Sequence, residues 1–148
     1  MPEPVPPLVH FIFGLSDEPS QRDFAFSHYL AIRAAHVHLQ PTRIRFHYHH
    51  SPQGKWWDHA VPLLDLERVD IPREIFGRSL AHAAHRADVL RLRLLIEHGG
   101  IYLDLDVLVL RPFGPLIEDG EQIDVLNRRV SQPSSRQVHT FGIVGVSF

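Results

Sequence analysis

A helix-to-strand junction at Gly99-Gly100 constrains the fold of this chain more than any other feature. Before it, apolar residues repeat with the 3.6-residue period of a helix, and two glycines end such a helix because glycine adopts left-handed backbone at little cost. After it, residues 101–110 alternate and then become apolar on both faces, which predicts a central strand covered on both sides. This succession predicts an α/β domain with a mostly parallel central sheet flanked by helices.

The helix predicted before the glycines carries its charges in two places. At 100° per residue, Arg86, Arg93 and Glu97 fall in one stripe, which we interpret as the solvent face. Asp88 and Arg91 lie roughly 140–160° from this stripe and are predicted to point toward the interior. Apolar side chains cover most of the remaining circumference, which predicts packing on most sides: Val89, Leu90, Leu92, Leu94, Leu95 and Ile96.

Asp88 and Arg91 have two interpretations. As a surface pair three residues apart on a helix, they would contribute a few tenths of a kcal/mol. As ligand-binding groups, Arg91 would bind a phosphate or sugar oxygen and Asp88 would bind sugar hydroxyls. Their predicted inward direction favours the second interpretation.

Two aspartates stand in the predicted strand, separated by one residue. Because side chains of a strand repeat every two residues, Tyr102, Asp104 and Asp106 are predicted to share one face. Adjacent carboxylates can hold one divalent cation, and oxygen ligands favour Mg²⁺ or Mn²⁺. A solvated edge-strand face is the alternative, but the pair lies in the most apolar part of the chain, where an uncompensated carboxylate is costly to bury.

The rest of the chain predicts further strands and helices without a linker, so we expect a single domain over residues 1–148. Trp56 and Trp57 open a short helix and are interpreted as core plus rim in preference to a sugar platform. The other predicted elements are a helix at residues 20–40 stopped by Pro41, strands at 8–13, 43–49, 67–71, 123–126 and 141–148, and a polar loop at 127–137.

Histidines are abundant, but their spacing favours structural roles. His82 and His85 stand three residues apart on the predicted helix, near its solvent stripe. His47, His49 and His50 are expected on an exposed strand end and its turn.

Composition excludes several classes of protein. The chain has no cysteine, and its 15 basic residues are scattered around a formal net charge of −2, so neither a disulfide scaffold nor a nucleic-acid partner is predicted. Apolar runs are far shorter than a membrane span, and the N-terminus lacks a secretion signal; we therefore expect no membrane span and a cytoplasmic location. No glycine-rich phosphate loop occurs, so phosphate binding would depend on a cation.

Residues 85–112, with a helix, two glycines and Asp-x-Asp in that order, resemble the DXD-containing sugar-binding region of glycosyltransferases. That family includes initiating mannosyltransferases and capsular polysaccharide transferases. Residues 8–14 are similar to the family's opening strand, in which an aromatic residue near the strand end packs on the nucleotide base.

The resemblance implies a GT-A fold, a nucleotide-sugar donor and a Mn²⁺ or Mg²⁺ cofactor. It implies transfer of a hexose from a UDP- or GDP-sugar to a glycan, lipid or protein acceptor, with retention of configuration. It assigns no catalytic nucleophile or base. By position, it implies that Asp106 binds the metal directly, Asp104 contacts the ribose and the metal's shell, Asp88 and Arg91 hold the donor sugar, Tyr102 packs near the nucleotide and Phe13 lies on the base.

Two other functions stay open at this point. The chain ends 42 residues after Asp106, where family domains continue, so we expect a C-terminally incomplete domain. A non-catalytic nucleotide-sugar-binding remnant is one alternative. A haloacid-dehalogenase-type phosphatase, in which Asp104 attacks phosphorus, is the other, but it needs a downstream lysine and no lysine follows Lys55.

Overall fold

The computed structural model describes residues 5–113, together with the backbone of residues 123–124, 128–129 and 141–142. Strands and helices alternate through most of this region. The elements are β1 (Leu8–Phe13), α1 (Phe26–Leu39), β2 (Arg43–Tyr48), α2 (Lys55–Ala60), a short 3-10 helix (Val61–Leu63), β3 (Asp65–Arg68), β4 (Glu74–Ile75), β5 (Arg78–Ser79), α3 (Ala83–His98), β6 (Ile101–Tyr102), β7 (Ile123–Asp124), β8 (Arg128–Arg129) and β9 (Phe141–Gly142).

The central sheet has the strand order β3-β2-β1-β6-β9, and every neighbouring pair in it is parallel. Parallel neighbours need crossover connections, which α1 and α3 supply. Two short antiparallel pairs, β4 with β5 and β7 with β8, stand apart from it. The predicted α/β class with a mostly parallel sheet flanked by helices is confirmed.

Alternate residues of β1 face two different layers of the core. Val9 and Phe11 face an apolar cluster that includes Ile32 of α1 and Trp57 of α2. On the opposite face, Ile12 packs against residues of α3 and against Tyr102. Trp57 is buried and Trp56 lies at the rim, which confirms the core-plus-rim interpretation of this pair.

Helix α1 ends where proline was expected to stop it but begins later than predicted. The segment before it is a loop, in which the Phe24 N–H donates to the Gln53 carbonyl at 2.8 Å. The helix begins at Phe26 and ends at Leu39, and its C-cap residue Gln40 has a left-handed φ of 46°. Strand β3 lies two residues before its predicted position because its pairing with β2 begins at Asp65.

The expectation that His47 lies on an exposed strand end is wrong. Strand β2 lies between β1 and β3 inside the sheet, and the His47 ring packs beside the His10 ring of β1. The side chains of His10 and His47 are fully buried and stack with ring centroids 5.3 Å apart. His49 and His50, at the end of β2 and after it, are half-buried.

Helix α3 packs through one stripe and not on most of its circumference. Leu92 is 51% exposed and Ile96 is 69% exposed, contrary to prediction. Arg86, placed by its angle on the solvent stripe, is buried because the loop after β1 covers it. Arg93 and Glu97 are exposed as predicted.

The two glycines after α3 end the helix as expected. Gly99 is the C-cap residue, and its N–H donates to the Leu95 carbonyl at 2.9 Å. Gly100 has a φ of +92°, and a Cβ at this position would lie 2.5 Å from the Leu8 carbonyl oxygen. Only glycine allows β6 to approach β1 this closely.

The long strand predicted at residues 101–110 is wrong beyond its first two residues. Strand β6 ends at Tyr102, and a turn follows in which the Val107 N–H donates to the Asp104 carbonyl at 3.1 Å. Aspartates favour turns over strands, and their carboxylates favour solvent over a sheet interior. Leu108 and Leu110 are exposed and therefore do not belong to a covered central strand.

Three predicted C-terminal segments fall only partly within the described residues. Strand β7 matches the start of the strand predicted at 123–126, and β8 lies where a loop was predicted. Strand β9 pairs in parallel with β6, as Ile101 with Phe141 and Tyr102 with Gly142. Among the described helices, none is long and apolar enough to cross a membrane.

Candidate functional site

The carboxyl ends of β1 and β6 meet at one edge of the sheet. The two strands are parallel neighbours in which Val9 pairs with Ile101 and His10 pairs with Tyr102. Phe13 therefore ends β1 close to where Asp104 follows β6. In open parallel sheets, ligands bind at this edge, beyond the carboxyl ends of the strands.

Tyr102 fixes the orientation of the first aspartate. Its side chain is buried, and its hydroxyl donates to Asp104 Oδ1 at 2.6 Å. Burial and this hydrogen bond to a carboxylate raise the pKa of the Tyr102 hydroxyl far above its usual value, so the hydroxyl stays protonated. Tyr102 is therefore a permanent donor that holds Asp104 at the sheet edge.

Arg91 connects α3 to the same tyrosine. Its guanidinium carbon lies 5.2 Å from the centroid of the Tyr102 ring, and its Nη2 donates to Asp88 Oδ1 at 2.7 Å. The Arg91 side chain is 18% exposed and that of Asp88 is 53% exposed. The predicted inward direction holds for Arg91 and is wrong for Asp88, which lies at the rim of the site.

Asp104 and Asp106 lie on a turn and not on one face of a strand. Asp104 is half-buried, whereas Asp106 is exposed at the far side of the turn. The Val107 N–H closes this turn on the Asp104 carbonyl. The two aspartates are separated by one residue in the sequence, but they lie on a turn. The alternation of a strand, which predicted that their side chains share one face, does not apply here.

The two aspartates fit the oxygen-rich, incomplete ligand set that a catalytic Mg²⁺ or Mn²⁺ uses. Such ions take one or two protein carboxylates and complete their coordination with water and substrate phosphates. Over residues 5–113, no group of three or more His, Cys, Asp or Glu side chains is placed to enclose an ion. Asp104 and Asp106 therefore supply two oxygen ligands of an incomplete set.

Phe13 lies at the carboxyl end of β1 within an aromatic cluster. Its half-buried ring meets Phe24 edge to face, with centroids 5.5 Å apart, and is tilted against Phe46 at 6.3 Å. His28 of α1 meets Phe13 edge to face at 6.0 Å. No sequence pattern marks His28, and its one signal is its place in the first turn of the helix that follows β1.

Arg86 is a second residue whose environment the sequence analysis missed. Its guanidinium donates to the Leu80 carbonyl at 2.9 Å and the Leu15 carbonyl at 3.1 Å, and it also bonds Asp17 at 3.2 Å. Arg86 and Arg73 hold the pKa of the Asp17 carboxyl below its usual value. Arg86 thereby ties the loop after Phe13 to the first turns of α3.

His82 and His85 lie at the start of α3. Both are exposed, with their rings edge to face and centroids 5.5 Å apart.

Comparisons with known proteins match the region that carries the site. Residues 28–124 match the family described as "Glycosyltransferase sugar-binding region containing DXD motif". The chain is 45% identical over 116 residues to "Glucan organizing enzyme 1" of Cryptococcus neoformans var. grubii, covering 76% of this chain and 32% of that protein. Among solved structures, it is similar to "PaToxG Glycosyltransferase", with a TM-score of 0.46 and 19% identity over 76% of this chain and 46% of the other.

The family match covers most of the chain and includes α3, both glycines and the Asp-x-Asp turn. The chain spans only about a third of the length of its fungal relative. The chain belongs to the family of glycosyltransferase sugar-binding regions that contain a DXD motif.

Proposed function

We propose that this chain binds the donor in a metal-dependent glycosyltransferase, which transfers a hexose from a UDP- or GDP-sugar to a glycan, lipid or protein acceptor with retention of configuration. The observation that carries the proposal is the connected series Asp88, Arg91, Tyr102, Asp104, which joins α3 to the Asp-x-Asp turn at the carboxyl edge of the sheet.

Asp104 and Asp106 would hold Mn²⁺ or Mg²⁺. When bound, this ion supplies positive charge that stabilises the leaving diphosphate. Tyr102 holds the Asp104 carboxylate in one direction, so the ligand is oriented before the donor arrives. Asp104 would also contact the ribose.

Arg91 and Asp88 would bind the transferred sugar. A guanidinium presents five N–H donors in a fixed plane, and the hydrogen bond to Asp88 uses one of them. The remaining donors suit sugar or phosphate oxygens, while Asp88 at the rim suits sugar hydroxyls. Stacking on Tyr102 keeps the guanidinium plane in place.

Phe13 would pack against the nucleotide base. Its ring is half-buried at the end of β1 and fixed by aromatic neighbours, so a base would meet an ordered surface. A base at Phe13 and a cation at the Asp-x-Asp turn would place the diphosphate between the ends of β1 and β6.

Calorimetric titration with UDP-glucose and GDP-mannose tests the proposal. We expect one of them to bind in the presence of Mn²⁺, and Asp106→Asn to weaken this binding at least tenfold while removing its dependence on Mn²⁺. Asp70→Asn, at another exposed aspartate, is the matched control and should bind as the wild type does. Absence of nucleotide-sugar binding, or unchanged binding by Asp106→Asn, would contradict the assignment.

Transfer is tested separately because the chain covers only part of its relative. That relative's name refers to glucan, so glucan oligosaccharides are the first acceptors to try. Donor hydrolysis or transfer by the 148-residue chain would support an active enzyme. Donor binding without either reaction would favour a domain that binds nucleotide sugars only.

A further inference from the structure

His28 of α1 contacts the aromatic cluster around Phe13. Its ring contacts that of Phe13 with centroids 6.0 Å apart, and that of Phe24 with centroids 4.9 Å apart. Burial lowers the pKa of His28, and the nearby Asp106 carboxylate opposes this by raising it. His28 therefore contacts the aromatic ring proposed for the base, and it lies within range of the charge of the aspartate proposed for the cation.

A backbone hydrogen bond determines which nitrogen of the His28 ring carries the proton. The Ala25 N–H, at the start of α1, donates to His28 Nδ1 at 3.3 Å. A ring nitrogen that accepts a hydrogen bond has no proton, so the neutral ring carries its proton on Nε2. Nothing in residues 5–113 accepts a hydrogen bond from this Nε2.

The neutral ring thus offers one N–H donor beside the Phe13 ring. In this tautomer, Nε2 has no lone pair for a metal ion, which excludes His28 as a third metal ligand in the neutral state. An N–H donor suits an acceptor oxygen. The part of a nucleotide that joins the base to the cation-bound phosphates is rich in such oxygens.

We propose that His28 is a nucleotide-binding residue that donates a hydrogen bond from Nε2 to an oxygen of the ribose or the diphosphate. The proposal rests on the proposed function, since it needs a donor whose base lies at Phe13 and whose diphosphate lies near Asp106. In this arrangement α1, as well as β1 and the Asp-x-Asp turn, contributes a side chain to the donor site.

Paired substitutions on α1 test this role. His28→Phe retains a ring of similar shape beside Phe13 and Phe24 but removes both Nε2–H and the acceptor of the Ala25 N–H. His36→Phe makes the same change at an exposed position further along the same helix. In calorimetric titrations with UDP and with GDP, each in Mn²⁺, we expect His28→Phe to weaken nucleotide binding roughly tenfold and His36→Phe to leave it unchanged.

The result separates the two proposals. If the wild type binds and His28→Phe binds equally well, the role of His28 is wrong while the proposed function stands. If the wild type binds neither nucleotide, the proposed function fails first.

A measurement on the wild-type chain does not depend on a variant that folds. With ¹⁵N-labelled histidine, long-range ¹H–¹⁵N spectra near pH 7.5 should report an unprotonated Nδ1 and a protonated Nε2 for His28. Adding UDP with diamagnetic Mg²⁺ should move the Nε2 resonance of His28 and leave that of His36 in place. A protonated Nδ1, or an Nε2 resonance unmoved at saturating UDP, would overturn the proposal.

Discussion

Two arginines of the same helix have opposite surroundings. Arg86 is 4% exposed, and its three hydrogen bonds go to two backbone carbonyls and to Asp17. Arg91 lies over the Tyr102 ring, and its guanidinium makes one hydrogen bond within the described residues, to the half-exposed Asp88. One guanidinium is enclosed by the protein, whereas the other keeps N–H donors that no described residue uses.

The difference separates a residue that stabilises the fold from one that is available to a ligand. A buried guanidinium with protein partners contributes to stability because its removal leaves those partners without hydrogen bonds. A partly exposed guanidinium with one exposed carboxylate contributes little, since solvent screens such pairs. Changes at Arg86 should therefore alter the free energy of unfolding, and changes at Arg91 should alter nucleotide-sugar binding.

The largest effect is expected for Arg86→Met. It leaves the buried carbonyls of Leu80 and Leu15 without donors, and each such group costs about 1–3 kcal/mol. We expect the free energy of unfolding in urea to fall by about 4 kcal/mol. Arg93→Met, at an exposed position of α3, should change it by less than about 0.5 kcal/mol. If Arg86→Met and Arg93→Met have equal free energies of unfolding, Arg86 does not stabilise the fold and does not differ from Arg91 in this respect.

The buried histidine pair extends the comparison to a second enclosed polar group. A carbonyl only accepts, so His10 must donate from Nε2 to the Gly99 carbonyl at 2.9 Å, and its Nδ1 must accept from His47 Nε2 at 3.0 Å. His47 Nδ1 is then a buried acceptor that has no donor among residues 5–113 and lies 3.7 Å from a Glu67 carboxylate oxygen. The pair ties β2 through β1 to the end of α3.

Protonation of this pair should destabilise the fold. Burial lowers the pKa of His47 from 6.5 to about 4, so between these values the unfolded chain binds more protons than the folded one. The contribution of the neutral His47 to the free energy of unfolding is complete above pH 6.5 and is lost as the pH falls toward 4. The whole change amounts to about 3 kcal/mol, measurable as urea stability across this range.

A variant isolates the histidine contribution. His47→Leu should flatten the dependence of stability on pH between 6.5 and 5, above the range in which carboxylates titrate. His36→Leu, at an exposed histidine, should retain the full slope. A slope unchanged in His47→Leu would assign the dependence to other groups.

The sequence predicted the positions of helices and strands more accurately than the burial of individual side chains. Periodicity located α3, and its glycines located the end of the helix, because both signals are local. The angle of Arg86 on the helix gave no information about the loop after β1 that covers it. In the same way, the alternation in β2 could not indicate that His47 is buried against His10 of β1.

The sequence selected the residues of the candidate site but did not predict how they are arranged. Tyr102, Asp104 and Asp106 were selected as neighbours on a long strand, yet the chain turns after Tyr102. An apolar run such as residues 107–110 does not reveal where pairing stops, because pairing depends on a neighbouring strand. His28 carried no pattern of its own, since its relation to Phe13 and Asp106 arises only when three separate segments fold together.

The smallest expected effect, and the one most specific to the site, is that of Arg91→Lys. Lysine keeps the positive charge near Asp88 but lacks the planar fork that stacks on Tyr102 and binds two oxygens at once. We expect the free energy of unfolding to change by less than about 1 kcal/mol, while binding of the preferred nucleotide sugar in Mn²⁺ weakens about tenfold, equivalent to about 1.4 kcal/mol.

Calorimetry with the nucleotide sugar and with its free nucleoside diphosphate locates the lost contact. A loss confined to the nucleotide sugar places Arg91 on the transferred hexose, whereas an equal loss for both places it on the diphosphate. If the affinity for both ligands is unchanged and the free energy of unfolding falls, Arg91 stabilises the fold, as Arg86 does.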